Sequence, residues 1–220
     1  MCGRYTRMMT WRQIVTGLHI LSSIGDPPPL QPRYNVRPGE PKGTLVVRAS
    51  GGQIGPDLLK WGFRAEAKKP FAPINAKAET LFEKWSWKHS AVNRRCLIPM
   101  DGFFEPKGPK SQKNRPQYFF RFSDSRPFFV AGLWTKKVEG ADLDSFALVT
   151  TEPNDQVAPI HDRMPAIVKP EAHEIWLSDT KDIGALQSAL GPWSANPLEC
   201  WEVDRQRLIN SDDERCIHPA

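Results

Sequence analysis

The residue best placed for chemistry is Cys2, which directly follows the initiator Met1. Initiator methionine is commonly trimmed when the second residue is small. Trimming here would leave an α-amine and a thiol on adjacent carbons. The amine titrates near ~7.7–8.0 and a free thiol near ~8.5, so both keep a nucleophilic fraction at neutral pH. Such an amine condenses with an aldehyde to an imine, and the neighbouring thiol then closes a thiazolidine ring. N-terminal nucleophiles also serve hydrolases, where the free amine acts as base. Glu105 sits in the apolar, aromatic run Gly102-Phe103-Phe104-Glu105-Pro106. Desolvation there would raise its pKa and suit it to proton transfer. The residues alone leave equal room for a strand-end glutamate facing solvent. His161 lies in an irregular, proline-bounded segment from Pro159 to Pro165. An imidazole titrating near ~6.5 exchanges protons near neutrality, although buried structural histidines are as common. Asn75 can donate and accept hydrogen bonds beside these groups, or simply form a turn. His19, His89, His173 and His218 have no comparable context and are expected at the surface or in packing.

These residues need a frame. Thr10 is a natural N-cap for a helix over 11–22, with Trp11, Ile14, Val15, Leu18 and Leu21 at helical spacing. A second helix is expected over 79–89, with Leu81, Phe82 and Trp85 on one face. Strands are expected at 44–48, 58–63, 95–98, 102–105, 118–122, 128–133, 146–150, 200–203 and 215–217, and short helices at 171–177 and 182–190. Residues 106–116 and 136–144 read as loops, the first of them basic. Strands dominate the middle of the chain and helices do not alternate with them. The pattern predicts an α+β, β-rich fold in one domain over 1–220. Trp61, Trp134 and Trp176 are expected in the core. Trp85 and Trp87 cannot share a helix face, so one should be exposed.

Composition sets the bounds. The chain has 220 residues with 40% hydrophobic and 25% charged, which excludes wholesale disorder. Its 21 prolines limit helix length. The net charge of +5 suits an anionic partner without requiring one. The four cysteines, Cys2, Cys96, Cys200 and Cys216, form no CxxC pair, and residues 1–25 lack an export signal. No apolar stretch approaches a membrane span. These features predict a soluble intracellular protein with reduced thiols, no metal and no cofactor.

Seven segments then occur in one order: MCGRY at 1–5, YNVRPG at 34–39, WGF at 61–63, INAKAET at 74–80, RCLIPMDGFFEP at 95–106, AGLW at 131–134 and IHDRMP at 160–165. This series resembles the SOS-response-associated peptidase (SRAP) family over roughly residues 1–170, with a weaker echo at Val203 and Asn210. The resemblance implies a curved or barrel-like mixed sheet with peripheral short helices. It also implies covalent capture of abasic sites in single-stranded DNA. There the amine and thiol of Cys2 take the sugar aldehyde into a thiazolidine after Met1 is removed, by self-processing or with assistance. Glu105 would shuttle protons, His161 would protonate the sugar ring oxygen, and Asn75 would orient the Cys2 amine. Arg4, Lys77, Arg163 and, more weakly, Thr150 match phosphate-contacting positions, and Pro38 a wedge against a base. The partner would be single-stranded DNA bearing abasic sites, met by a monomer in the cytoplasm at damaged DNA, or in the nucleus of a eukaryote.

Two positions depart from the family pattern. Lys77 stands where arginine is common, which keeps the charge but loses the bidentate fork. Pro106 stands where tryptophan usually follows the glutamate, which removes a stacking surface. Two other readings fit the same residues. One is a thiol peptidase or self-processing N-terminal nucleophile hydrolase built on Cys2, His161 and Asn75. The other is a non-catalytic DNA-binding module indifferent to Cys2.

Overall fold

The structure is a computed structural model, described for residues 2–18, 20, 24, 30–65, 72–194 and 197–220. In chain order its strands are β1 (Arg4–Arg7), β2 (Arg33–Val36), β3 (Thr44–Ser50), β4 (Gln53–Trp61), β5 (Asn75–Lys77), β6 (Arg95–Met100), β7 (Gly102–Pro106), β8 (Gln117–Phe122), β9 (Phe128–Thr135), β10 (Ser145–Thr151), β11 (Met164–Pro165), β12 (Ile167–Val168) and β13 (Leu198–Val203). The helices are α1 (Trp11–Gly17), α2 (Trp85–Asn93), α3 (His173–Leu177), α4 (Ile183–Ser188) and α5 (Arg205–Asn210).

Apolar residues alternate along the central strands, and the alternation divides the core in two. Leu45, Val47, Leu97, Ala131, Leu133, Ala147 and Val149 face one way and pack with Ile14 of α1, Trp87 of α2, Trp176 of α3 and Leu186 of α4. Val46, Cys96, Ile98, Val130, Phe146 and Leu148 face the other way and pack with Tyr5, Phe103 and Phe120 of a second sheet. This is the period of two that a pleated strand imposes. With both faces covered, β6 and β10 are buried at every residue, which is why they read as unbroken apolar runs.

The strand pairings close a circuit. β10 runs parallel to β4, β4 pairs with β3, β3 with β6, β6 with β9, and β9 returns to β10, the last four antiparallel. The expected α+β fold with a barrel-like mixed sheet is therefore present. β5 adds parallel to the far end of β10, and β11 adds antiparallel there. The second sheet has the order β13-β8-β7-β1-β2. Its centre, β7, pairs antiparallel with β1 in the register Arg4↔Phe104, Tyr5↔Phe103, Thr6↔Gly102. Gly102 is required there: a Cβ would stand 2.2 Å from the Phe119 ring and 2.8 Å from the Phe120 carbonyl oxygen.

Several boundaries differ from the sequence reading. The N-terminal capping box forms as expected, with Gln13 N–H donating to Thr10 Oγ1 at 3.3 Å and Thr10 N–H to Gln13 Oε1 at 2.8 Å. But α1 ends at Gly17, where Leu18 turns to extended backbone and caps the helix; positions 19, 21 and 22 lie outside the described residues. The second helix starts at Trp85, not 79. Residues 78–80 form a 3₁₀ turn directly off β5, and Leu81 and Phe82 reach the core from turns. Trp85 is consequently exposed while Trp87 is buried. Trp134 is half-buried rather than core, because the Arg48 guanidinium covers its ring at 3.9 Å. The strand expected at 215–217 is a 3₁₀ turn, Glu214–Ile217, with Asp213 accepting from Arg215 N–H at 3.0 Å.

Gly102→Ala should destabilise the fold by about 2–4 kcal/mol in urea unfolding, because the Phe119 ring and the Phe120 backbone must both move.

Candidate active site

Four sequence elements bring the expected catalytic residues towards one place. Cys2 precedes β1. Continuing the register of β1 and β7 carries Gly3 level with Glu105 and Cys2 level with Pro106. β1 is held at its far end by Asp101, which accepts from Met8 N–H at 2.7 Å and Met9 N–H at 3.0 Å. Asn75 opens β5 and donates from Nδ2 to the Cys2 carbonyl at 2.8 Å. Its Oδ1 is buried without a partner among the described residues, an acceptor free for an incoming N–H or O–H. His161 closes a turn after β10, its N–H donating to the Val157 carbonyl at 2.9 Å. Its Nε2 stands 3.5 Å from Glu105 Oε2.

Burial sets the protonation of this group. Glu105 is fully buried, and desolvation pushes its carboxyl up to about 8. It is therefore largely protonated at neutral pH. Burial also holds the Cys2 thiol well above its ordinary value, with the charge of nearby Glu105 adding to the effect. His161 is pushed down by burial and is neutral. His161 Nδ1 lies 3.1 Å from both the Arg163 backbone N–H and the Arg163 carbonyl oxygen, and 3.2 Å from Asp162 Oδ1.

A second layer fixes the first, and its key residue was not legible as functional. Glu79 accepts from both ends of the Arg163 fork at 2.9 Å, and the same guanidinium donates to the Thr150 carbonyl at 2.6 Å. Against the opposing effect of burial, these Arg163 hydrogen bonds hold the Glu79 carboxyl below its ordinary range. The pair locks the backbone of residues 161–163, and with it the His161 ring. The signal for Glu79 lay in INAKAET, where the carboxylate follows Asn75 at the distance of one short strand and a turn.

The expected DNA-contacting residues fall in different settings. Lys77 is exposed and makes no hydrogen bond or ion pair among the described residues. Arg4 is half-buried, donating to Asn35 Oδ1 at 2.8 Å and the Leu208 carbonyl at 3.1 Å. Burial lowers its pKa, and the nearby positive charge of Arg37 lowers it further. Arg37 therefore extends a cationic patch that the sequence reading did not single out. Arg163 is buried and neutralised by Glu79, and Thr150 is 2% exposed beneath it. Both are placed to support the site from behind rather than to meet a phosphate. Pro38 is half-buried in a turn at the edge of a separate cavity containing Trp61 and Ile74. Beside His161, Lys107, Lys110 and Arg115 line a cavity of about 640 Å³, so part of the basic loop walls the approach to the site. All four cysteines are free thiols, and Cys200 is the exposed one. No cluster of His, Cys, Asp or Glu among the described residues could hold a metal ion. Nor is any helix among them long and apolar enough to cross a membrane.

A buried acid near Cys2, on an antiparallel sheet packed against a curled mixed one, defines a class, and comparison with known proteins gives it a name. The chain belongs to the SOS response associated peptidase (SRAP) family, whose profile matches residues 1–210. It is 34% identical over 218 residues to the abasic site processing protein YoqW of Bacillus subtilis, covering 96% of this chain and 95% of that one. It is 30% identical over 181 residues to the abasic site processing protein YedK of Escherichia coli, covering 80% and 79%. Among solved structures, a Bacteroides thetaiotaomicron protein superposes with a TM-score of 0.78 at 20% identity, covering both chains fully. A phage-related protein of Bordetella bronchiseptica gives 0.73 at 26% identity, covering 93% and 95%.

The raised pKa of Glu105 has a consequence for stability. Between the unfolded value near 4.5 and the folded value near 8, the folded state holds a proton that the unfolded state has lost. Its contribution to stability is therefore complete below about pH 4.5 and is lost as pH rises towards 8. Glu105→Gln, which stays neutral, should raise Tm at pH 8 by several degrees relative to the parent and flatten that decline, as read by calorimetry across pH.

Proposed function

We propose that this protein processes abasic sites in single-stranded DNA by capturing the ring-opened sugar on Cys2 as a thiazolidine, once Met1 has been removed. The observation that carries the reading is the fully buried Glu105, 3.5 Å from His161 Nε2 and close enough to Cys2 for its charge to raise the thiol pKa. Relatives named as abasic site processing proteins supply the substrate class.

The steps follow from the protonation states. With Nδ1 protonated, His161 Nε2 takes the C1′ hydroxyl proton and passes it to the ring oxygen as the C1′–O4′ bond breaks, while Asp162 Oδ1, 3.2 Å from Nδ1, favours the imidazolium that forms in between. The Cys2 amine adds to the C1′ aldehyde and gives a carbinolamine. The Glu105 carboxyl protonates the departing hydroxyl, water leaves, and an iminium and a carboxylate remain. That carboxylate takes the thiol proton, and the thiolate closes on C1′. One water is lost overall and Glu105 ends protonated. A high thiol pKa suits this order, because the thiol gives up its proton only when Glu105 has become a base. It suits a thiol peptidase poorly, since such an enzyme needs a standing thiolate. Asn75 holds the Cys2 carbonyl through Nδ2 and offers Oδ1 to the amine.

Lys77, Arg4 and the lysines at 107 and 110 would hold phosphates, with Pro38 against a base. Arg163 and Thr150 would act as positioning residues. Met-trimmed protein mixed with single-stranded DNA carrying one abasic site should give a heat-stable adduct on denaturing gels. Cys2→Ala, or acetylation of the α-amine with the thiol intact, should abolish it. Survival of the adduct in either case would overturn the reading, and proteolysis that survives amine blocking would favour the peptidase. The rate should be bell-shaped in pH. Its rising arm comes from the amine near ~7.7–8.0 and its falling arm from Glu105 near 8. Lys77→Ala should weaken binding uniformly and reduce the slope of log K against log salt by about 0.7, the value for one phosphate on a single strand.

A further inference from the structure

A second cavity, of about 420 Å³, lies between α1, the β8–β9 turn and β12, and none of its lining residues belongs to the site described above. Its floor is aromatic. Phe122 packs on Phe128 at 5.0 Å and on Trp193 at 5.3 Å between ring centroids, and Phe129 closes one side. Its rim carries Arg12 and Arg126, both exposed, and no aspartate or glutamate lines it. Arg126 pairs with Asp124 at 3.1 Å, but both side chains are about half exposed, so solvent competes readily for that contact. Trp193 is 5% exposed, and its indole Nε1 is buried with no hydrogen-bond partner among the described residues.

A volume of this size takes one large aromatic or aliphatic side chain with its flanking backbone. The two arginines suit carboxylates just outside the hollow. We propose that this cavity docks an acidic peptide segment of a partner protein, anchored by a single bulky apolar side chain. The site is separate from the reactive group, so docking and DNA capture are compatible on one molecule. Its role would be to bring the protein to an assembly that presents damaged single strands.

The test is selection of a displayed library of random dodecapeptides on the full-length protein, followed by fluorescence polarisation of the enriched peptide. Two variants serve as controls: Arg12→Glu with Arg126→Glu, and Thr16→Trp. Thr16 is an exposed residue of α1 lining the cavity, so tryptophan there would fill its mouth. Enriched peptides should combine Asp or Glu with one Phe, Trp or Leu. Affinity should fall at least tenfold in both variants, while adduct formation with abasic DNA stays at the parent level. The proposal is overturned if enrichment is absent, if the selected peptides are neutral or basic, or if the variants bind as well as the parent. It is also overturned if a thymidine oligonucleotide displaces the peptide, which would mark the cavity as a nucleic-acid surface.

Discussion

The arrangement depends on one constraint: a carboxyl group buried in the middle of a sheet. Glu105 lies in β7, the central strand of the second sheet, and is completely buried. A charged carboxylate there would lose its hydration, so the group stays protonated to about pH 8. The proposed capture uses that displaced proton. Glu105 would act as an acid at the pH where an N-terminal amine becomes nucleophilic. After one transfer it would act as a base towards a thiol that burial has made reluctant to ionise.

Around this acid the fold supplies position rather than further charge. Asp101 pins the end of β1, and Asn75 pins the Cys2 carbonyl, so the reactive residue is fixed from both sides. The Glu79–Arg163 fork fixes the turn carrying His161. Burial of Arg163 is tolerable because Glu79 and the Thr150 carbonyl satisfy it. Removing either partner would leave a buried cation unmatched, the costlier fault. The exposed cations, Lys77 and the loop at 107–115, are free of such duties and remain available to an anionic strand.

Much of this was legible in the sequence. The strands were visible wherever apolar residues ran continuously, as in 95–98 and 146–150, because both faces of those strands are covered. Cys2, Asn75, Glu105 and His161 stood out through chemistry and family resemblance, and the structure brings Cys2 to Asn75 and His161 to Glu105. What could not be read was partnership. Nothing in the local sequence tells that Arg163 is spent on Glu79, or that Thr150 is covered, since both depend on β5 and β10 lying parallel. The second helix was misplaced for a similar reason. Leu81 and Phe82 have the right spacing for a helix, but tertiary packing serves them from turns. The strand expected at 215–217 was lost to an aspartate cap, whose preference shows only when the neighbouring backbone is turned.

The central claim is that Glu105 is an acid near neutrality, and it is open to direct measurement. The Glu105 side-chain carboxyl, labelled with ¹³C, can be titrated by NMR in the intact protein. The account predicts a midpoint near 8, with His161 titrating below its ordinary value. A Glu105 midpoint near the ordinary 4.5 would contradict it, because the residue would then enter the reaction as a carboxylate with no proton to give.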